Sequence, residues 1–171
     1  DSIKSFFTAA LKLMLLIGMA GGLFLFIMRF ADGPWGVVQG GAFSSGELVS
    51  GQENWSFIKE RDTVEFQLLK PASSRTTWIM EHANRVFIPS GYMRTSYGKI
   101  WKKWPIHAEK DGRAILRVDG KLFQRKLIRV EEDPILPQVL AELSRKYTGG
   151  GLIPVAEVYN GSLWIFELTE R

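Results

Sequence analysis

The stretch AILRVDGKLFQRKLIRV, residues 114–130, decides the fold. Its two halves, Ala114 to Val118 and Leu122 to Val130, are rich in branched apolar residues and flank Asp119-Gly120. An Asp-Gly pair tolerates the positive φ angles of a tight two-residue turn, so the stretch reads as a β-hairpin. Working outward, Thr63 to Leu69 (TVEFQLL) places Val64, Phe66 and Leu68 on one face. That two-residue period marks a strand with one buried side. Arg75 to Glu81 (RTTWIME) is β-branched and aromatic, and Arg85 to Ile88 follows an Ala83-Asn84 turn. Val155 to Tyr159 and Leu163 to Leu168 flank Asn160-Gly161, which predicts a second hairpin. These short strands predict a mainly β domain, an antiparallel sheet curled into a barrel or sandwich. One short helix interrupts them. Pro134 and Pro137 suit its start, Leu136, Val139, Leu140, Leu143 and Tyr147 form its stripe, and Gly149 to Gly151 end it.

The N-terminal third obeys a different pattern. Leu13 to Met28 reads LMLLIGMAGGLFLFIM, sixteen residues without a charge. As a helix it is about 24 Å long, and snorkelling by Lys12 and Arg29 extends the apolar span through Phe6 to Leu11 and Phe30. A soluble domain of this size rarely hides a helix that is apolar on every face, and RFADGPWG after the run has no A-x-A-like cleavage site. The expectation is one transmembrane helix within residues 1–31. Lys4 and Lys12 against Arg29 place the N-terminus in the cytoplasm and the domain outside, in the periplasm if the source is bacterial. Gly18 and Gly22 form a G-x-x-x-G stripe that would admit a second helix.

Residues 32–58 form a Gly-rich approach segment, with Gly33, Gly36, Gly40, Gly41, Gly46 and Gly51 beside Pro34. It lacks the G-x-x-x-x-G-K-[ST] of a phosphate-cradling loop and reads as a structural lead-in. Residues 59–171 are then the β domain. The chain has no cysteine, which excludes disulfides, thiolate metal sites and cysteine nucleophiles. Its net charge of +4 falls only to +3 when Asp1, Lys4, Lys12, Arg29 and Asp32 are removed, so the placement of charge matters more than its sum.

Charge and rings concentrate in His82 to Ala108. Arg85, Arg94, Lys99, Lys102 and Lys103 are interleaved there with Phe87, Tyr92, Tyr97, Trp101 and Trp104, without an acidic residue. Such a mixture suits a phosphate-bearing cofactor, the lipid headgroup layer or a protein partner, and it also suits a basic loop whose rings turn inward. Arg94, Tyr97, Lys99, Trp101 and Trp104 are the expected partner or headgroup surface. A membrane tether argues against nucleic acid. His82 and His107 have no spacing that requires a metal site, and no G-x-S-x-G or other catalytic constellation is present. Arg125, Leu127 and Arg129 share one face of their strand, which reads as the solvated face of an edge.

Taken together, TTWIMEHANRVFIPS (residues 76–90), KKWPIHAEKDGRAILRVDGKLFQRKLIRV (102–130) and DPILPQVLAELSRKY (133–147) resemble the split β-barrel superfamily of flavin- and deazaflavin-binding proteins. That group includes pyridoxamine-phosphate oxidase-like proteins and the nitroreductase/quinone-reductase family. The similarity spans about residues 60–168 and lies in the pattern of elements. It implies a split barrel, often dimeric, with FMN or deazaflavin as cofactor. By position, Arg75, Thr76, Thr77 and Lys102 or Lys103 would hold the cofactor's phosphate. Two functions are therefore expected. One is a non-catalytic accessory or assembly subunit of a larger membrane complex, held by its helix and its basic–aromatic surface. The other is a membrane-tethered flavin or deazaflavin oxidoreductase acting on quinone-like substrates.

Overall fold

The computed structural model describes residues 2–51, 54–96, 98 and 102–171. A single helix, α1 (Ser2–Met28), precedes an irregular segment carrying the short strand β1 (Glu47–Val49). The sheet is then built from β2 (Thr63–Leu69), β3 (Ala72–Trp78), β4 (Met80–His82), β5 (Arg85–Ser90), β6 (Arg113–Val118), β7 (Lys121–Val130) and β8 (Trp164–Glu170). Three short helices accompany it, α2 (Trp104–Lys110), α3 (Leu136–Tyr147) and α4 (Ala156–Tyr159).

The strand order β3-β2-β6-β7-β8-β5-β4 dictates the curvature. All pairs along it are antiparallel, and β1 adds to β7 in parallel. Strands β3 and β4 lie at opposite ends of this order, yet only Ile79 separates them in the chain. In a flat sheet, six steps of about 4.8 Å would hold those edges about 29 Å apart. The chain from Trp78 to Met80 spans at most about 7 Å. The sheet must therefore curl until its two edges meet, and β3 does approach β5. No ladder is formed there, so the barrel is split along that seam.

Alternation along the strands sorts side chains into two cores. Val64, Phe66, Leu68, Val86, Ile88, Ala114, Leu116, Phe123, Leu127 and Phe166 fill the barrel, together with Trp104 and Ala108 of α2. On the outer face, Met80, Phe87, Val130 and Ile165 pack against Leu136, Val139, Leu140 and Leu143 of α3. Each fully buried side chain of this kind contributes about 1.5–3 kcal/mol. The end of α3 also secures the edge switch. Tyr147 Oη accepts from Ile79 N at 3.0 Å, and its ring stacks on Trp78 at 4.5 Å. Lys146 Nζ donates to Ile79 O at 2.7 Å and to Arg61 O at 2.5 Å.

The glycine-rich segment is folded tightly onto this body. Gly40 pairs with Ser74 across the free edge of β3, and Gly41 N donates to Ala31 O at 3.1 Å. A Cβ at Gly40 would collide with the Gly33 carbonyl, and one at Gly41 with the Arg29 carbonyl. Arg117 closes the fold-back. Its Nε donates to Glu65 at 2.6 Å, its Nη1 to Asp32 at 2.9 Å, and its guanidinium lies 4.1 Å from the Phe43 ring centroid.

Three sequence expectations change. Residues 156–159 form the one-turn helix α4, started by Pro154, rather than a strand, so Asn160-Gly161 does not join a hairpin and β8 pairs with β5 and β7. Trp104–Lys110 is a helix, with Pro105 in its first turn where a missing N–H is harmless. Strand β7 is central rather than an edge, so the face bearing Arg125, Leu127 and Arg129 turns inward. Arg125 is 6% exposed and lies 4.4 Å from the Trp55 ring centroid. Arg129 lies 3.6 Å from that of Trp164 and pairs with Glu109 at 2.6 Å.

Candidate anion site at the split of the barrel

Register decides which residues of β3 can act together. Arg75 stands opposite Phe66 and Thr77 opposite Val64, both interior positions, whereas Thr76 stands opposite Glu65 on the outer face. Arg75 and Thr77 therefore point into the barrel at its split edge, and Thr76 is removed from them. The Arg75 guanidinium lies 5.9 Å from the Trp104 ring centroid and donates from Nη2 to Gln39 Oε1 at 2.7 Å. Its Nε is buried without a hydrogen-bond partner. Burial alone pushes its pKa down to about 10.

Lys102 completes the arrangement. Its Nζ donates to Gly91 O at 3.2 Å and lies 5.7 Å from the Tyr92 ring centroid. Burial lowers its pKa, and the positive charge of Arg75 lowers it further. Among the described residues, no carboxylate pairs with either cation. Three other arginines of the sheet are paired with acids, whereas the buried Arg125 of β7 shares with Arg75 an Nε that has no hydrogen-bond partner. Arg85 grips Glu167 at 2.8 and 2.7 Å and Asp133 at 3.0 Å. Arg113 pairs with Asp111, and Arg117 with Asp32 and Glu65. Two like charges that act on one another, partly shielded from water and without a carboxylate partner among the described residues, make this a candidate anion site. The donor set suits phosphate or carboxylate.

The remaining predicted residues disperse. Lys103 is exposed at the start of α2. Trp104, expected at a partner or headgroup surface, is only 5% exposed and packs against Phe66 and Phe166. The reason is its place on the inward face of α2. Arg94 is exposed and lines an apolar cavity of about 420 Å³ with Trp78, Tyr92 and Leu163. Tyr97, Lys99 and Trp101 lie outside the described residues. Gly18 and Gly22 lie on α1, where an added Cβ would meet nothing within 4 Å. His82 lies on β4 and His107 on α2, and no group of three or more potential metal ligands occurs among the described residues. Sequence reasoning missed Gln39, because its partnership with Arg75 depends on the fold-back at Gly40.

No family model and no curated protein matches the chain. Three solved structures are similar to it. The conserved hypothetical protein Rv2991 of Mycobacterium tuberculosis shares 13% identity and a TM-score of 0.48, covering 68% of this chain and 77% of its own. HutZ, the haem storage protein of Vibrio cholerae, shares 11% and 0.48, covering 68% and 86%. A pyridoxamine 5′-phosphate oxidase-like protein of Listeria innocua shares 10% and 0.40, covering 67% and 87%. The fold itself follows from this chain's strand order and the edge switch at Ile79, and it is a split β-barrel behind a long apolar helix.

Proposed function

We propose that the chain is a single-pass membrane protein whose barrel binds a phosphate-bearing ligand of the flavin or deazaflavin class at Arg75 and Lys102. The observation that carries this reading is the buried, partnerless Nε of Arg75 beside a second unneutralised cation. Any redox chemistry would belong to the ligand. This chain's part would be to hold the phosphate with Arg75 and Lys102, and Trp104 would keep water from one side. Placement in the membrane is supported by α1, whose 27 residues run about 40 Å and expose Ile17, Leu23, Leu25 and Phe26 at 56–63%. The N-terminus lies in the cytoplasm on this reading, with the domain outside. The full chain in mild detergent is titrated with FMN, with a deazaflavin and with inorganic phosphate. Uptake weakened about ten- to a hundredfold by Arg75→Met is expected. No uptake of any of the three, or equal uptake by the variant, overturns the reading.

A second reading, a non-catalytic accessory subunit of a larger membrane complex, is favoured by the open stripe at Gly18 and Gly22. There Gly18→Leu with Gly22→Leu should release co-extracted proteins while leaving the domain folded, since the added atoms meet nothing in this chain. Unchanged partners would refute it.

A further inference from the structure

The geometry points to a second site, for an anionic phospholipid, where α1 joins the barrel. A cavity of about 560 Å³, within the usual range for ligand pockets, is lined by Phe26 of α1, Arg29 and Phe30 just past its end, Gln39, Pro71 of the β2–β3 turn, and Ala72 and Ser73 at the start of β3. One wall is apolar, with Phe26 and Phe30 edge to face at 5.4 Å. Arg29 supplies the charge. It is exposed and, among the described residues, its guanidinium has no hydrogen-bond or ion-pair partner. The nearest acid in the chain, Asp32, is committed to Arg117, Ser44 and Ser45.

The surroundings indicate what fills it. The turn Trp35–Val38 doubles back along α1, so that Trp35 meets Phe24 edge-on at 5.6 Å, about 6 Å before the helix ends. Its apolar side chains remain uncovered, Trp35 at 68% and Val37 fully. Exposed tryptophan beside the end of an apolar helix is the arrangement that settles at a membrane interface. With α1 spanning the hydrocarbon, a reading on which this site rests, Arg29 stands at the level of the lipid phosphates. The phosphate would meet Arg29, and the acyl chains would run down over Phe26 and Phe30. The pocket is held open by the fold-back, because Gly41 is fastened to Ala31 and Gly40 to Ser74.

The test uses the full chain in nanodiscs of phosphatidylcholine containing about 20 mol% phosphatidylglycerol, a composition carrying the anionic headgroup charge that basic side chains recognise. Native mass spectrometry then counts the lipids retained after release. Phosphatidylglycerol should be enriched over phosphatidylcholine about five-fold, and Arg29→Gln should abolish the preference while Arg29→Lys and Lys12→Gln keep it. Equal retention of the two lipids, or an unaltered preference in Arg29→Gln, overturns the site. Removal of the bound lipid by inorganic phosphate would assign the pocket to a free anion and overturn it too. Failure of the chain to float with vesicles would refute the spanning helix, and the lipid site with it, leaving the barrel's anion site standing.

Discussion

Replacing Arg75 with methionine should stabilise the ligand-free protein. Burial has lowered the arginine's pKa from its ordinary value to about 10. That displacement corresponds to a penalty of about 3 kcal/mol for keeping the charge in the folded state at neutral pH. Because the folded-state value is the lower one, the penalty is complete below pH about 10 and fades only as pH rises towards the ordinary arginine value. Ordinary buffers cannot relieve it. Removing the charge can, and so can a bound anion. Methionine occupies similar space but forfeits the bond to Gln39 and the contact with Trp104, together about 1–2 kcal/mol. The net gain is about 1–2 kcal/mol, or a rise in Tm of about 3–7 °C for a domain of this size. Thermal unfolding of the full chain in detergent, followed by circular dichroism with and without phosphate, measures it. Phosphate should raise the Tm of the parent and leave that of the variant unmoved. A variant less stable than the parent, with Arg75→Lys unaltered, would make Arg75 a structural cation and refute the reasoning.

Two further outcomes follow from the other arginines. Hydrogen bonds from Ser45 and Ser44, then the Arg117 guanidinium, hold the Asp32 carboxyl well below the usual carboxylate range. Its contribution is therefore present above pH about 4 and is lost as pH falls further, and Arg117→Ala should free residues 32–46 for proteolysis about tenfold faster at neutral pH. Unchanged cleavage would mean that the fold-back holds without Arg117. For Arg125, whose buried Nε has no partner, Arg125→Leu should cost less than about 1 kcal/mol in urea unfolding, whereas Arg125→Ala should cost about 2–4 kcal/mol for the space left against Trp55. Equal losses in the two variants would show that the charge itself is needed.

Of the basic–aromatic mixture in residues 82–108, Phe87 and Trp104 are buried and Arg85 is paired with Asp133 and Glu167, while Tyr92, Arg94 and Lys103 stay exposed. Cations elsewhere in the sheet meet rings inside the molecule. Arg75 lies on Trp104, Arg125 on Trp55 and Arg129 on Trp164. Composition records that cations and rings are available. Only the register of strands tells whether they meet each other or face outward.

Local physics was sufficient for much of the fold. The Asp119-Gly120 turn, the alternation of Val64, Phe66 and Leu68, the stripe of α3 and the unbroken apolar run of α1 are all written within short windows, because turn chemistry and periodicity act between near neighbours. What acts between distant residues was not. The sequence by itself determined a mainly β domain behind an apolar helix; it marked Lys102 within a basic–aromatic stretch and Arg75 only through resemblance. The tertiary structure decided that Ile79 carries the chain from one sheet edge to the other, that Thr76 turns away from Arg75, and that Trp104 is buried. Curling the sheet brings residues far apart in the chain to one seam, and no window of sequence contains that closure.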